Sequence, residues 1–250
     1  MEKKRALVLG ASQNLGAHLA GRMAAEGWAV TALGRRPAGE TDLPADLDYI
    51  QADLSLPETL EWLPEKIGDA PDAVVYNAVR YPDQKAGTPS LQELESVFRV
   101  NALVPYRLLL DLLLAPRDRF CSVVVVNSDA IYHAREQSGV YSASKAALRV
   151  LTGTLASTAR GRNASVSTLL LGPLADREKV RGLQRVAEQR GTTEEEVTRL
   201  FLRRSNTNLV IDELIDFESC FQSLRYMIGL GPVANGMMCR LDGGSAGGLV

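Results

Sequence analysis

Short apolar runs alternate with longer segments of helical periodicity along almost the whole chain of 250 residues. Several short runs are continuously apolar, most plainly 123–126, which is typical of strands that helices cover on both faces of a parallel sheet. Strands are predicted at 6–9, 29–33, 49–51, 73–76, 122–126, 165–170 and 237–241, and helices at 15–26, 57–66, 90–115, 141–159 and 212–229. The alternation predicts one α/β domain, residues 1–250, with a doubly wound, seven-stranded parallel sheet.

One interval, 174–210, interrupts the alternation between the sixth strand and the last helix, and it is rich in charged residues. Within it, Thr193 and Glu196 have the spacing of a capping box, and an amphipathic turn with Val197 and Phe201 follows. Long excursions between sheet elements are often functional, which predicts a helical lid insertion over a substrate site. The alternative is a solvated helical insertion without that role.

Composition narrows the classes of partner. The chain has 46% hydrophobic and 23% charged residues, and 28 Lys and Arg against 30 Asp and Glu give a formal net charge of −2. No nucleic acid partner is therefore expected, and no apolar run approaches the roughly 18 residues that a membrane helix needs. The 3 cysteines form no CxxC pair and only 2 histidines are present, so no metal site is expected. This cysteine usage fits a reducing compartment, and a cytoplasmic location is predicted.

The turn after the first strand is a candidate dinucleotide-binding site. In doubly wound sheets this turn brings a pyrophosphate to the positively polarised N-terminus of a helix. A glycine at its start permits the tight turn, a glycine at its end lets helix and strand approach, and asparagine between them tolerates a positive φ. Turns of this kind also occur without ligands. The candidate residues are Gly10, Ser12, Gln13, Asn14, Leu15 and Gly16.

The end of the second strand discriminates between the two nicotinamide cofactors. An acidic residue at this point binds the ribose 2′-hydroxyl of NAD, but here the strand is followed by Arg35 and Arg36. Because guanidinium groups form bidentate, charge-assisted hydrogen bonds with phosphate, NADP(H) is predicted in preference to NAD(H). The alternative is that both arginines are solvated loop charges.

Tyr141 and Lys145 are the most informative pair of residues in the chain. Four positions apart on a predicted helix, they project from one face, about 6 Å apart along the axis. An ammonium near a phenol favours the phenolate, so Lys145 is expected to lower the pKa of Tyr141 into a range useful for proton transfer. Ser128 follows the fifth strand, at the sheet edge where ligands bind in such folds. Asn101 lies inside the helical segment 90–115, an awkward place for a polar residue unless its amide is used.

These residues together resemble the short-chain dehydrogenase/reductase family, and the likeness extends over essentially the whole chain. The family's Tyr-x-x-x-Lys motif matches Tyr141 and Lys145, its catalytic serine matches Ser128, and its active-site asparagine matches Asn101. The glycine-rich turn and the C-terminal Leu-Asp-Gly-Gly at 241–244 are further markers. The resemblance also implies cofactor-binding roles for Asp53, Leu54, Asn77, Ala78, Gly172 and Pro173.

The resemblance implies a Rossmann fold and an NADP(H)-dependent oxidoreductase that acts on the carbonyl or alcohol group of a small molecule. In that scheme Ser128 hydrogen-bonds the substrate oxygen, Tyr141 transfers the proton, and Lys145 lowers the phenol pKa and holds the nicotinamide ribose. Asn101 anchors a water that links Lys145 to solvent. A homodimer or homotetramer is expected, because the strongly apolar helix around 108–114 packs against a partner subunit in this family.

Several positions depart from the family pattern. Asn14 replaces the central glycine of the turn, Val79 replaces a glycine after the fourth strand, and Asp176 stands near a threonine that bonds the nicotinamide amide in relatives. Two alternatives therefore stay open: a non-redox biosynthetic enzyme (isomerase, dehydratase or cyclase) and a catalytically silent NADP(H)-binding regulator. The shape of the substrate pocket is assigned to 130–139 and 174–210, with no substrate named.

Overall fold

The computed structural model describes residues 3–68, 71–83, 88–133 and 138–247, and a seven-stranded sheet lies at its centre. The strand order is β3-β2-β1-β4-β5-β6-β7, and all neighbouring strands run parallel. The strands are β1 Arg5–Leu9, β2 Ala29–Gly34, β3 Asp48–Gln51, β4 Ala73–Tyr76, β5 Cys121–Ser128, β6 Ala164–Leu171 and β7 Met238–Leu241. All the predicted strands are therefore confirmed, with ends that differ by one or two residues.

Helices cover both faces of the sheet. The described α-helices are α1 Asn14–Ala25, α2 Thr59–Ile67, α3 Leu91–Phe98, α4 Val104–Leu114, α5 Gly139–Ala159, α6 Arg177–Arg190, α7 Glu194–Ser205 and α8 Phe217–Gly229. Short 3-10 turns lie at Ala38–Glu40, Asp129–Tyr132 and Gly231–Ala234. Among the residues described, no helix is both long and apolar enough to cross a membrane.

The alternating side chains of β1 explain why the buried strands read as continuously apolar. Leu7 and Leu9 point into the hydrophobic core on one face of the sheet, whereas Ala6 and Val8 belong to the core on the other face. All four side chains are at most 2% exposed. A strand that is buried on both faces has no polar side, so the sequence shows no alternation. The doubly wound α/β architecture is confirmed.

The chain reverses its direction of winding at β1. It first moves outward to β2 and β3, and then returns to the other side of β1 as β4, so that Leu9 lies beside both Leu33 and Tyr76. In an open parallel sheet, the crevice outside the carboxyl ends of the strands at such a switch point is the place where ligands bind. Three of the predicted cofactor-binding residues directly follow these strands: Gly10 follows β1, Arg35 follows β2 and Asn77 follows β4.

The prediction of a single, uninterrupted helix over 90–115 is wrong at the middle of that range. The structure divides it into α3, a π-helical turn at Arg99–Leu103, and α4. Pro105 carries no N–H, so the carbonyl of Asn101, four residues earlier, has no donor in the regular α-helical pattern. In the same turn, the carbonyl of Val100 accepts a 2.7 Å hydrogen bond from the buried phenol of Tyr76. The π-turn holds Asn101, which is completely buried.

The interval after β6 contains two helices, α6 and α7, of which only the start of the second was signalled in the sequence. Thr193 caps α7 as its spacing predicts, because its hydroxyl accepts a 3.2 Å hydrogen bond from the backbone N–H of Glu196. Gly191 ends α6 in the left-handed conformation, with φ of 62°. The last predicted helix begins later than position 212, at Phe217, because Asp216 caps it through the N–H of Ser219.

Candidate active site

The turn between β1 and α1 is packed so tightly that glycine is required at both of its ends. A Cβ on Gly10, which has φ of 79°, would lie 2.4 Å from the backbone of Ala78. A Cβ on Gly16 would lie 2.0 Å from the carbonyl oxygen of Gly10. The side-chain amide of Asn77 donates a 2.9 Å hydrogen bond to that same oxygen. The segment after β4 therefore fixes the shape of the turn, and the two form one wall of a cleft.

Asn14 stands where the family pattern has a glycine, and its backbone adopts a positive φ of 50°. Its backbone N–H lies 3.3 Å from a carboxylate oxygen of Asp42, and its side-chain oxygen accepts a long 3.4 Å hydrogen bond from the N–H of Arg177. The guanidinium of Arg177 is paired with Asp42 at 2.7 Å. The asparagine thus keeps the conformation of a glycine and connects the turn to the first residue of α6.

Arg35 and Arg36 follow β2 on the same side of the cleft, and both side chains are exposed. Their backbone carbonyls accept hydrogen bonds from Gln51 and Tyr49, at 3.4 and 2.7 Å respectively. Neither guanidinium is paired with a carboxylate among the described residues. Both are therefore available to an anionic ligand. Asp53, farther along this wall, uses one carboxylate oxygen to accept from the N–H and the hydroxyl of Ser55.

The cleft has a volume of about 1190 Å³ and brings most of the predicted site residues together. Five predicted residues are not among those that line it: Gly16, Asn101, Ser128, Lys145 and Gly172. Gly172 packs so closely on Asp242 that a Cβ would lie 2.7 Å from its carbonyl oxygen. The predicted residues that line the cleft are Gly10, Ser12, Gln13, Asn14, Leu15, Arg35, Arg36, Asp53, Leu54, Asn77, Ala78, Tyr141 and Pro173.

Strand β5 and helix α5 position the reactive residues. The side-chain amide of Asn127 donates a 3.1 Å hydrogen bond to the backbone carbonyl of Lys145, which ties the end of the strand to the helix. The ammonium of Lys145 donates to the carbonyl of Val126 at 3.2 Å. Burial lowers the pKa of Lys145 to about 8. The hydroxyl of Ser128 lies close enough to the phenol of Tyr141 to lower its pKa, so these two side chains are neighbours at the carboxyl end of β5.

The pKa of Tyr141 differs from the sequence-based expectation. Burial raises the pKa of its phenol well above the usual value, and the neighbouring Tyr81 and the carboxylate of Asp129 raise it further, although the hydroxyl of Ser128 lowers it. Lys145 is not among the groups that shift it, because the ammonium is directed to the carbonyl of Val126. Tyr141 in this state is therefore a proton donor rather than a base.

Asn101 uses both N–H donors of its side-chain amide inside the protein, and its oxygen accepts one hydrogen bond there. Its oxygen accepts from the N–H of Arg80 at 2.8 Å, and its nitrogen donates to the carbonyl of Arg80 at 2.8 Å and to the hydroxyl of Ser144 at 3.0 Å. The amide therefore clamps the loop after β4 onto α5. Only the second lone pair of its oxygen is left for the water that the resemblance implied.

Three site features were missing from the sequence-based prediction. Tyr81 stacks on Tyr141, the carboxylate of Asp129 faces the cleft beside Ser128, and Asp42 pairs with Arg177. Only Asp129 carried a usable signal, since it directly follows the predicted catalytic serine. The other two depend on contacts between loops that are distant in the sequence.

The substrate end of the cleft is formed by the segment after β5 and by the interval after β6. Ala130, His133 and Ser138 line it on one side, and Phe201 and Leu209 on the other. Residues 134–137 of the predicted pocket segment lie outside the described residues. Both intervals that the sequence assigned to the pocket therefore contribute to it.

Asp176 caps α6 and does not stand free at the cleft. Its carboxylate accepts from the N–H of Lys179 at 2.9 Å, and the ammonium of Lys179 lies 2.8 Å from its second oxygen. The negative charge that the sequence placed near the nicotinamide position is thus compensated by a cation. Across the described residues, no group of three or more His, Cys, Asp or Glu is arranged to hold a metal ion.

Comparisons with known proteins agree with the fold and the motifs. The family model of short chain dehydrogenases matches residues 4–180. A 4-hydroxyisoleucine dehydrogenase complexed with NADH is 20% identical, with a TM-score of 0.79, over 99% of this chain and 100% of that one. L-Sorbose reductase from Gluconobacter frateurii, complexed with NADPH and L-sorbose, is 15% identical, with a TM-score of 0.80, over 100% of this chain and 98% of that one. A search of curated proteins gave no match.

A doubly wound parallel sheet with a glycine-rich turn at a helix N-terminus is typical of nicotinamide-dependent oxidoreductases of the Rossmann type. The chain belongs to the short chain dehydrogenase family, as the match over residues 4–180 shows.

Proposed function

We propose that this chain is an NADP(H)-dependent oxidoreductase that transfers hydride between the cofactor and the carbonyl or alcohol group of a small molecule. The observation that carries the proposal is the proximity of Tyr141 to Ser128 at the carboxyl end of β5, with the buried ammonium of Lys145 held by Val126 of the same strand. This group of side chains adjoins the cleft that the glycine turn opens. One end of the cleft is suited to hold a cofactor, and the other end to move a proton.

The residues present fit a dinucleotide. Gly10 and Gly16 let the turn pack so closely against the segment after β4 and against α1 that no Cβ would fit, and this fixes the helix N-terminus at which a pyrophosphate would bind. The two exposed guanidiniums of Arg35 and Arg36 favour a 2′-phosphate, and hence NADP(H) over NAD(H). Ser12, Asp53 and Asn77 lie between these two points. The bound nicotinamide would supply the hydride chemistry, and the protein supplies position and proton transfer.

The raised pKa of Tyr141 supports reduction of a carbonyl as the favoured direction. A phenol that keeps its proton at neutral pH can donate it to the oxygen of a carbonyl as negative charge develops there. Ser128 would hold the same oxygen through its hydroxyl. Lys145, whose pKa is lowered to about 8, would hold the cofactor ribose and return a proton toward Tyr141. Asn101 acts as a positioning residue, because its amide fixes the loop beside the site.

The remaining parts of the proposal concern the setting of the site. The helices α6 and α7 form a lid over the substrate end, to which Phe201 contributes an apolar side chain. A homodimer or homotetramer is supported by the outer faces of α4 and α5, where Leu114 is 49% and Val150 is 72% exposed. A cytoplasmic location remains a prediction from the cysteine usage.

The experiment that tests the proposal measures oxidation of NADPH and NADH with a panel of small ketones and aldehydes. The wild-type protein is expected to oxidise NADPH faster than NADH, and Tyr141→Phe is expected to lose about 10²–10⁴-fold in kcat/KM while it still binds NADPH. Tyr106→Phe is a matched control at a tyrosine outside the site. Wild-type rates in Tyr141→Phe would overturn the assignment of the proton donor.

A non-redox enzyme remains the second candidate, and the altered glycine turn at Asn14 and the departure at Asp176 are the observations that favoured it. The pairing of Asp176 with Lys179 weakens that argument, because the charge near the nicotinamide position is compensated. Binding of NADPH without its oxidation by any carbonyl compound would support this candidate instead.

A further inference from the structure

The carboxylate of Asp129 is the feature of the substrate end that the proposed reaction leaves unexplained. It lines the cleft, is half-buried, and directly follows Ser128. The hydroxyl of Ser128 donates a 3.3 Å hydrogen bond to one of its oxygens, and the hydroxyl of Ser245 donates a 2.5 Å bond to the other. Both donors are neutral. In the described parts of the chain, no lysine or arginine forms an ion pair with this carboxylate.

Two lysines of the site are already engaged elsewhere. The ammonium of Lys145 donates to the carbonyl of Val126, and the ammonium of Lys179 pairs with Asp176 and donates to the carbonyl of Leu174. A carboxylate that is partly removed from water without a cation is unfavourable, and a cationic ligand removes that cost. Asp129 also raises the pKa of the adjacent Tyr141, an influence that a bound cation would offset.

The orientation of Asp129 is fixed by a network from three distant segments. Asn206, at the end of α7, accepts from the N–H of Asn208 through its oxygen, so its nitrogen must face the other partners. That nitrogen donates to the carbonyl of Ser245 at 2.8 Å and lies 2.8 Å from Nε2 of His133. Ser245 is completely buried. The carboxylate is therefore preorganised, with unused acceptor capacity on the oxygen nearest Ser128.

We propose that the substrate carries a positively charged amino group, which binds the carboxylate of Asp129 next to the reacting carbonyl or alcohol. A substrate oxygen that accepts the single proton of the Ser128 hydroxyl takes it from the nearer oxygen of Asp129, 3.3 Å away, which is then left to the amino group. The two substrate groups must therefore be close together. The amino group consequently belongs on the carbon next to the reacting carbon, or on the one after it. Phe201 and Leu209 offer an apolar surface for the rest of the molecule.

This inference rests on the proposed function for the place of the carbonyl, but binding of the amine is independent of turnover. Calorimetry on the protein loaded with NADP⁺ compares ethanolamine with propanol, its amine-free equivalent in size. The wild type is expected to bind ethanolamine at least about 10-fold more tightly, through the charge-assisted contact. Equal affinities would overturn the inference, and this comparison needs no variant that could fail to fold.

A substitution then locates the contact. Asp129→Asn is expected to abolish the preference for ethanolamine, while Glu188→Gln, the same change of charge on the exposed face of α6, is expected to keep it. Equal weakening of both ligands by Asp129→Asn would show that the residue only holds the loop in place, and would overturn the inference. Unchanged affinity for NADP⁺ verifies that the variant is folded.

Turnover separates this inference from the proposed function. With NADPH, aminoacetone is expected to exceed butanone in kcat/KM by about 10-fold or more in the wild type, and the ratio is expected to collapse in Asp129→Asn. Butanone turnover without a preference for aminoacetone would contradict the amine site and leave the oxidoreductase assignment intact. Ethanolamine binding at Asp129 without turnover of either ketone would contradict the oxidoreductase assignment and support the amine site.

Discussion

The ring of Tyr81 stacks on the ring of Tyr141, with the centroids 4.6 Å apart and the planes inclined by 25°. Tyr81 comes from the loop after β4, which Asn101 clamps through the backbone of Arg80. An offset stack of this kind contributes roughly 0.5–1.5 kcal/mol beyond the burial of its area. The stack shields the proposed proton donor from water on one face.

The first prediction concerns the pH dependence of alcohol oxidation. Burial and the presence of Tyr81 both raise the pKa of Tyr141, so replacing Tyr81 by alanine lets water in and lowers that pKa. Oxidation requires the deprotonated phenol as base, and its rate therefore rises with pH up to this pKa. The rising limb of kcat/KM is expected to move to lower pH in Tyr81→Ala.

Tyr81→Phe is the matched control for that experiment. It keeps the stacked ring, and hence most of the shielding, but removes the hydroxyl that contributes to the raised pKa of Tyr141. Its pH profile is expected to lie between those of the wild type and Tyr81→Ala. If the pH profiles of the wild type, Tyr81→Phe and Tyr81→Ala coincide, the stack does not control the pKa of Tyr141.

The second prediction concerns the stability of the protein as a function of pH. Burial lowers the pKa of Lys145 from 10.5 to about 8, so the unfolded chain binds more protons than the folded one between these values. The free energy of unfolding therefore rises as the pH increases from about 8 to 10.5, because the ammonium loses its proton first in the folded state. Below pH 8 the protein carries the full energetic penalty of burying this charged ammonium. Lys145→Met removes the penalty and is expected to raise the free energy of unfolding at pH 7, by at most about 3 kcal/mol.

Urea unfolding of both proteins across this pH range checks the prediction. The gain in Lys145→Met is expected to shrink as the pH rises, while oxidation of NADPH is lost at every pH. A variant that is less stable than the wild type at pH 7 would show that Lys145 is not held at an energetic cost. Lys66→Met, on α2 and away from the cleft, is the control for removal of a lysine.

The sheet was predictable because its central strands are buried on both faces. The run 123–126 has no polar side to obscure the pattern, and β5 extends only slightly beyond the predicted 122–126. The break in the helix at 99–103 was harder to predict from the sequence. Its cause is partly local, since Pro105 lacks an N–H, and partly tertiary, since Tyr76 supplies the hydrogen bond to Val100.

The candidate site was predictable where a short motif carries it and not where distant segments meet. The glycine turn and the pair Tyr141 and Lys145 are each contained in a few residues. The contact of Asp129 with Ser245 joins positions 116 residues apart, and no local pattern announces it. The raised pKa of Tyr141 likewise follows from burial, which helical spacing alone does not reveal.

The third prediction concerns the hydrogen bonds through which Asn101 holds the loop after β4 against α5. Asn101→Ala leaves the backbone N–H and carbonyl of Arg80 without partners, which is expected to cost about 2–4 kcal/mol of stability. Ser144→Ala removes only one of the three hydrogen bonds of this amide, and its expected loss is about 1 kcal/mol. Urea unfolding measures both. Similar losses in the two variants would contradict the clamp.

The last prediction tests the choice of cofactor at the end of β2. Replacing Arg35 and Arg36 together by alanine removes two exposed guanidiniums that have no carboxylate partner in the described chain, so folding is expected to be unaffected. The affinity for NADPH is expected to fall about 10–100-fold and that for NADH by less than about 3-fold, because only the former carries a 2′-phosphate. Arg160→Ala, at the far end of α5, controls for the loss of positive charge. Equal weakening of both nucleotides, measured by calorimetry, would show that the arginines do not read the 2′-phosphate.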